Sequence, residues 1–160
     1  MEIKFQSFLI TVSDIARSRD FYEGLLSQKV LLDHGRAVDY EGGLSLMDAN
    51  YAFTLIHSRE RTSNDNLGSI NSEIYFDTPD LEGVFDKIKN AGVGFVHPVV
   101  EQPWGQRVFR FLDPDGYTIE IGEPMEAVIV RLLKEGKSYE EVAERTSTPI
   151  ETVKRLKYSL

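Results

Sequence analysis

The chain has no cysteine, which excludes disulfides, thiolate metal ligands and cysteine nucleophiles together. It has three histidines, His34, His57 and His97, and no two share a spacing that sets both on one face of one element, so each reads as a surface or loop residue. No run approaches the roughly 20 apolar residues of a membrane span, and the start, Met1 to Ser7, lacks the apolar stretch of a signal peptide. No membrane association and a cytoplasmic location are therefore expected. Positive charge is also scarce. Lysine and arginine number 18 against 26 acidic residues, a net charge of −8, and such a surface repels phosphate backbones and anionic lipids. Nucleic acid is not the expected partner.

What is present is ordinary globular material: 160 residues, 41% hydrophobic, enough for one domain of usual size with a core. From Phe5 to Val12 the chain alternates with a strand's period of two, Phe8, Ile10 and Val12 on one face and Ser7, Leu9 and Thr11 on the other. Asp14 then reads as an N-cap, followed by Ile15, Ser18, Tyr22, Leu25 and Leu26 at helical spacing. The same order returns with an alternating stretch from Glu73 to Thr78, a capping Asp80, and a stripe of Leu81, Val84, Phe85 and Ile88 closed by Gly92. The two caps stand 66 positions apart, and that shift lays Asn50 to Ile56 onto Gly116 to Gly122, which predicts a turn and a strand in both places. With strand-like pieces at 29–32, 36–40 and 44–47, then 94–96 and 107–112, each half reads as a βαβββ module. Module one covers residues 1–58 and module two 72–124, with a polar linker at 59–71.

Past Pro124 the pattern becomes purely helical. Val128, Val130, Leu132 and Leu133 run to Gly136, Ser138 with Glu141 forms a capping box, and Thr148-Pro149 with Glu151 marks another helix start. Charge shifts as well, to +1 over residues 125–160 against −9 before them. These residues are expected to be an all-helical extension, similar to the helix-turn-helix of bacterial regulators. Its weak positive charge favours docking on the sheet or on a partner subunit over DNA binding.

Val12-Ser13-Asp14 with Phe21-Tyr22-Glu23, and Phe111-Leu112-Asp113-Pro114-Asp115-Gly116-Tyr117-Thr118-Ile119-Glu120 preceded by Pro103-Trp104-Gly105-Gln106-Arg107, resemble the vicinal oxygen chelate superfamily, which includes glyoxalase I, extradiol dioxygenases and bleomycin-resistance proteins. The resemblance covers roughly residues 3 to 124. It implies an α+β fold in which paired βαβββ modules form a curved mixed sheet around a cleft for a small molecule, often with a metal, and frequently in a homodimer. The turn supports the placement by its own chemistry: Pro114 fixes φ, and Gly116 can take the positive φ that re-enters a strand.

Alternation sets Thr118 and Glu120 on one face of the last strand, opposite Tyr117, Ile119 and Ile121. A carboxylate on a concave face costs free energy unless it is paired, solvated or metal-bound. The resemblance implies metal ligands at Ser7, Thr54, Glu73 and Glu120, positions where metal-using relatives carry His or Gln and Glu; only Glu120 matches. Zinc, nickel and iron sites need more than that, although magnesium or manganese could use Glu73, Glu120 and water. No cofactor is therefore assigned. As a pair, Glu73 and Glu120 could share a proton and act as catalytic acid and base, or stand apart and bind a cationic or hydroxyl-bearing ligand. Leu9, Ile56 and Tyr75 would supply apolar walls, with Ser7 and Thr54 beside them. Trp104 is a lid or a plug, and Arg107 either grips a ligand anion or pairs with a nearby acid. The expected function is small-molecule binding without the usual metal, with a metal-dependent lyase or isomerase as the alternative and a ligand-responsive regulator as a third reading.

Overall fold

Phe8–Val12 forms strand β1 because its alternate residues Ile10 and Val12 can be buried together. In the computed structural model, which describes residues 2–157 apart from the side chains of Ile70 and Lys157, Asp14 caps helix α1 (Ile15–Arg19) by accepting from the amides of Ala16 and Arg17. A π-helical segment, Asp20–Leu25, continues it and buries Phe21 and Tyr22. Strands β2 (Val30–Asp33), β3 (Ala37–Tyr40) and β4 (Leu44–Asp48) follow. They pair in the order β1-β4-β3-β2, with β1 and β4 parallel and the other neighbours antiparallel. This is one βαβββ module, and its core is Ile10, Val12, Phe21, Tyr22, Val38, Tyr40 and Leu46.

The module continues into a helix where a strand was expected. Residues Ala49–His57 form α2, capped by Asp48, whose Oδ1 accepts from the Tyr51 amide at 2.9 Å. The reason is non-local. β4 already completes the four-strand order that module two repeats as β5-β8-β7-β6, so β4 and not the next segment is the counterpart of β8. The repeat shift of 66 therefore fails here, and Thr54 and Ile56 lie on a helix, with Ile56 58% exposed. In the final hairpin of each module the pair following the buried Val38–Leu46 and Phe111–Ile119 pairs is Ala37–Met47 and Arg110–Glu120. Met47 is thus the module-one counterpart of Glu120, in place of Thr54. Nor is the connection wholly a linker, because its end, from Ser69, is already strand. Asp65 organises what precedes it, accepting from Arg59, from the Thr62 amide and from the Thr62 hydroxyl.

Residues 113–117 pack as part of this first unit. Asp113 is the hub of the turn. Its Oδ1 accepts from the amides of Asp115 and Tyr117, and its Oδ2 accepts from the buried Tyr22 hydroxyl at 2.9 Å. Burial raises the Asp113 carboxyl, the three hydrogen bonds oppose this, and the net shift is upward. Asp115 in turn accepts from the amide and hydroxyl of Ser13 and from Arg17. Tyr22→Phe deletes one bond to a buried acceptor, and a loss of about 1–2 kcal/mol is expected in the urea unfolding free energy.

The second unit holds β5 (Ser69–Asp77, from Ser72 on), α3 (Leu81–Asn90), β6 (Phe95–Glu101), β7 (Arg107–Leu112) and β8 (Tyr117–Gly122, from Thr118 on). The sheet order is β5-β8-β7-β6, the same as in the first module. Asp80 caps α3, which buries Leu81 and Ile88. Phe85 of α3 lies 5.2 Å in ring centroid from both Phe95 and Phe109, and Phe109 stacks on Phe111. With Ile119 and Ile121, these rings make one face of the sheet a hydrophobic core; each fully buried side chain of this size contributes roughly 1.5–3 kcal/mol.

Three helices close the chain: α4 (Met125–Lys134), α5 (Tyr139–Thr146) and α6 (Ile150–Lys157). Val128, Ile129, Leu132, Val142 and Val153 form their common core, and the expected Ser138–Glu141 capping box is present. Electrostatics attach them to module two. Glu123, 6% exposed, accepts from Arg107 and from Arg131 of α4, while Arg131 also donates to the Gly105 carbonyl and Arg145 donates to Glu101 and the Pro103 carbonyl. Burial pushes the Glu123 carboxyl up, but the two guanidinium groups outweigh it and hold it below the ordinary 4.5. Its contribution is therefore complete above pH 4.5 and is lost as pH falls through the lower folded-state value. Glu123→Gln is expected to cost about 2–4 kcal/mol at pH 7, with the gap to wild type shrinking below pH 4.5 in urea titrations across that range.

Candidate functional site

The face of the second sheet opposite its aromatic core carries charge. Strand alternation sets Arg110 and Leu112 of β7 on this face, opposite in direction to Phe109 and Phe111. The hairpin register, counted out from the Asp113–Tyr117 backbone pair, places Arg110 directly across from Glu120. On the other side Arg110 is the cross-strand partner of His97 in β6. Glu73 on β5, at the far side of β8, completes the set, so each of the four strands contributes one residue to a row running Glu73, Glu120, Arg110, His97.

Arg110 holds this row together. Its Nε donates to Glu73 Oε2 at 2.8 Å, its Nη2 pairs with Glu120 Oε2, and its Nη1 lies 3.1 Å from His97 Nε2. An arginine only donates, so His97 Nε2 accepts; the His97 proton then sits on Nδ1, which is 2.7 Å from the Pro98 carbonyl and donates to it. Glu120 is 5% exposed. Burial raises its pKa above the ordinary 4.5, Arg110 pulls against it, the Glu73 charge adds to the rise, and the net shift is upward. Two carboxylates, one guanidinium and a neutral imidazole leave the row with about one net negative charge.

Beside the row, Tyr75 shares the Glu73 face of β5 by alternation. Its hydroxyl accepts from Gln106 Nε2 at 2.9 Å, and Gln106 Oε1 accepts from Trp104 Nε1 at 2.9 Å. Gln106 is buried, whereas Tyr75 and Trp104 are 46% and 39% exposed. A ring, a phenol and an amide are thus linked in series next to the charged row.

The structure brings Glu73 and Glu120 together, but through Arg110 rather than through a shared proton. Arg110 was missed by the sequence reading, as was His97, which lies in a strand at the edge of the row and not in a loop. Arg107 does not join them. Alternation sets it with Phe109 and Phe111, and its donors go to Glu123 at 2.6 Å and Glu82 at 2.6 Å; of the two expected roles it takes ion pairing. Ser7, Leu9, Thr54 and Ile56 belong to the other unit. Ser7 precedes β1 and is exposed, Leu9 is half-buried on the β1 face away from Ile10, and Thr54 donates its hydroxyl to the Asn50 carbonyl one turn back.

The donor set does not suit a resident metal ion of the kind the fold's relatives often hold. Among the described residues, no three His, Asp or Glu side chains converge, and the two carboxylates that do meet are bridged by a guanidinium, whose fixed charge opposes a second cation.

The Glyoxalase-like domain family model matches residues 5–126. Among solved structures, a protein described as of unknown function from Agrobacterium tumefaciens str. C58 is 35% identical, with a TM-score of 0.72 and coverage of 78% of this chain and 96% of that one. The fold also recurs in a glyoxalase/bleomycin resistance protein/dioxygenase from Nocardioides (18% identity, TM-score 0.59, 77% of this chain and 84% of that one). A lactoylglutathione lyase from Agrobacterium tumefaciens is similar in the same way (19% identity, TM-score 0.56, 75% and 92%). No curated protein matches. With two four-stranded βαβββ modules on the page and most of its length matched, the chain belongs to the glyoxalase-like domain family of the vicinal oxygen chelate superfamily.

Proposed function

We propose that this protein binds a small organic molecule on the charged face of its second module and does so without a catalytic metal. The observation that carries the reading is the buried Glu120 carboxylate on the sheet face opposite the aromatic core, paired with Arg110 where, among the described residues, no three metal-ligating side chains converge. Burying a charged pair costs several kcal/mol before its attraction repays it, and the aromatic core on the opposite face already stabilises the sheet, so the pair is better explained by ligand recognition. Glu73 and Glu120 favour a cationic or hydroxyl-bearing ligand, and Tyr75 and Trp104 supply aromatic surface. The chain is taken to work as a homodimer, as is frequent for this fold. The helices of residues 125–157 are taken as an appended piece of module two.

Trp104 is the only tryptophan, so its fluorescence reports on this face. Metal-free bleomycin serves as a cationic probe because solved relatives carry that resistance function in their names. Saturable quenching is expected, weakened about tenfold or more by Glu120→Gln, in protein that contains substoichiometric metal by elemental analysis. Stoichiometric metal that disappears with Glu120→Gln, together with turnover of the glutathione hemithioacetal of methylglyoxal, would establish the metal-dependent lyase and sink the binding-only reading.

A second expectation follows from the raised Glu120 pKa. Folded chains keep a proton on Glu120 at pH values above 4.5 where unfolded chains have released it. Stability therefore falls as pH rises through that window. Thermal midpoints measured from pH 4.5 to 8 are expected to show Glu120→Gln gaining on wild type as pH increases.

A further inference from the structure

Module one contains a concavity of about 410 Å³ lined by Arg36, Asn50, Tyr51, Thr54, Glu60 and Arg61, a size that admits a metabolite and not a macromolecule. What sets it apart is the state of its two arginines. Elsewhere in the first unit, Arg17 pairs with Asp115, Arg19 with Glu23 and Asp33, and Arg59 with Asp65. Arg36 and Arg61 have no carboxylate within 4.0 Å among the described residues, although acidic side chains outnumber basic ones by nine over residues 1–124. Both arginines face the same pocket.

Each is held in place without being neutralised. Arg61 donates Nε and Nη2 to the Asp65 backbone carbonyl at 3.2 and 3.1 Å. The Asp65 carboxylate cannot compensate its charge, because Arg59 and Thr62 occupy it with bonds of 2.5 to 2.9 Å. Arg36 lies over the Tyr51 ring, 5.3 Å from its centroid, a contact that orients the guanidinium and leaves its edge donors available. Two forks in one concavity supply more N–H donors than a single carboxylate can accept, whereas a doubly charged oxyanion can accept from both.

We propose that this pocket is a binding site for a small organic dianion, a phosphate monoester or a dicarboxylate, gripped between Arg36 and Arg61 and walled by Tyr51. Glu60 on the pocket lining works against the anion and limits its affinity. Thr54 is spent on the Asn50 carbonyl and offers no donor. The site is independent of the charged row on module two.

The full chain, titrated with phenyl phosphate at constant ionic strength, tests this through the Nε–H resonances of Arg36 and Arg61, with succinate and acetate as the dicarboxylate and monoanion arms. Saturable shifts at both arginines are expected, weakened about tenfold by Arg36→Gln or Arg61→Gln and strengthened by Glu60→Gln. Glu120→Gln is expected to leave the affinity unchanged, so failure of the metal-free binding reading would not imitate failure here. Preference for phenyl phosphate or for succinate identifies which dianion is taken. Equal response to acetate, absence of saturation, or indifference to both arginine substitutions in variants with wild-type melting temperatures would overturn the proposal.

Discussion

The guanidinium of Arg110 is the constraint on which the second module's exposed chemistry depends. Glu120 is almost fully buried on the side of the sheet that has no aromatic layer, and an isolated carboxylate there would neutralise itself by taking up a proton. Arg110 opposes this with one Nη while its Nε reaches Glu73 and its other Nη reaches His97. Because arginine does not lose its proton at accessible pH, the three neighbours are oriented by a charge that pH does not remove. A metal ion at the same place would come and go with solution conditions and would need imidazole or further carboxylate that the row does not converge on it.

Much of this was legible in the sequence. Both strand-to-helix openings with capping aspartates, the Asp113–Gly116 turn and the three-helix ending follow from local rules, because caps and turns act within four residues. Period-two alternation sets Glu120 opposite Ile119 and Ile121, and the structure likewise has it on the face away from the aromatic core. Arg110 could have been found by counting the hairpin register outward from the turn, since the pairing that opposes residues 112 and 118 also opposes 110 and 120. His97 could not, because β6 carries irregularities on both sides of it and its register is not a simple count.

The misassigned segment shows where local rules stop. Asn50 to Ile56 is seven mostly apolar residues, too short for periodicity to separate strand from helix. Two facts decide it. Asp48 is an N-cap for the segment that follows, and β4, paired with β1, already stands where β8 stands in the second sheet. The second belongs to the sheet and not to the segment, so a repeat carried over from module two could not reveal it. Once α2 is accepted, Met47 takes the position of Glu120 in the first module, so the position read as Thr54 carries a thioether instead of a hydroxyl, and neither is the carboxylate of the metal-using pattern.

That change bears on which chemistry the fold can support here. A Lewis acid activates a bound carbonyl or water, whereas the Arg110 guanidinium has already committed donors to Glu73 and Glu120 and has no vacant orbital to offer. Glu120 alone, with a raised pKa and a neutral imidazole two strands away, could in principle pass a proton; but its acceptor oxygen is held by Arg110, and a base that must first break an ion pair is a poor one. The binding reading proposed above rests on this commitment of Glu120 and Arg110 to each other. Beside the row, the half-exposed Tyr75 and Trp104 are linked to one another through the buried Gln106, and the proposed binding reading uses them as the surface that covers an occupant.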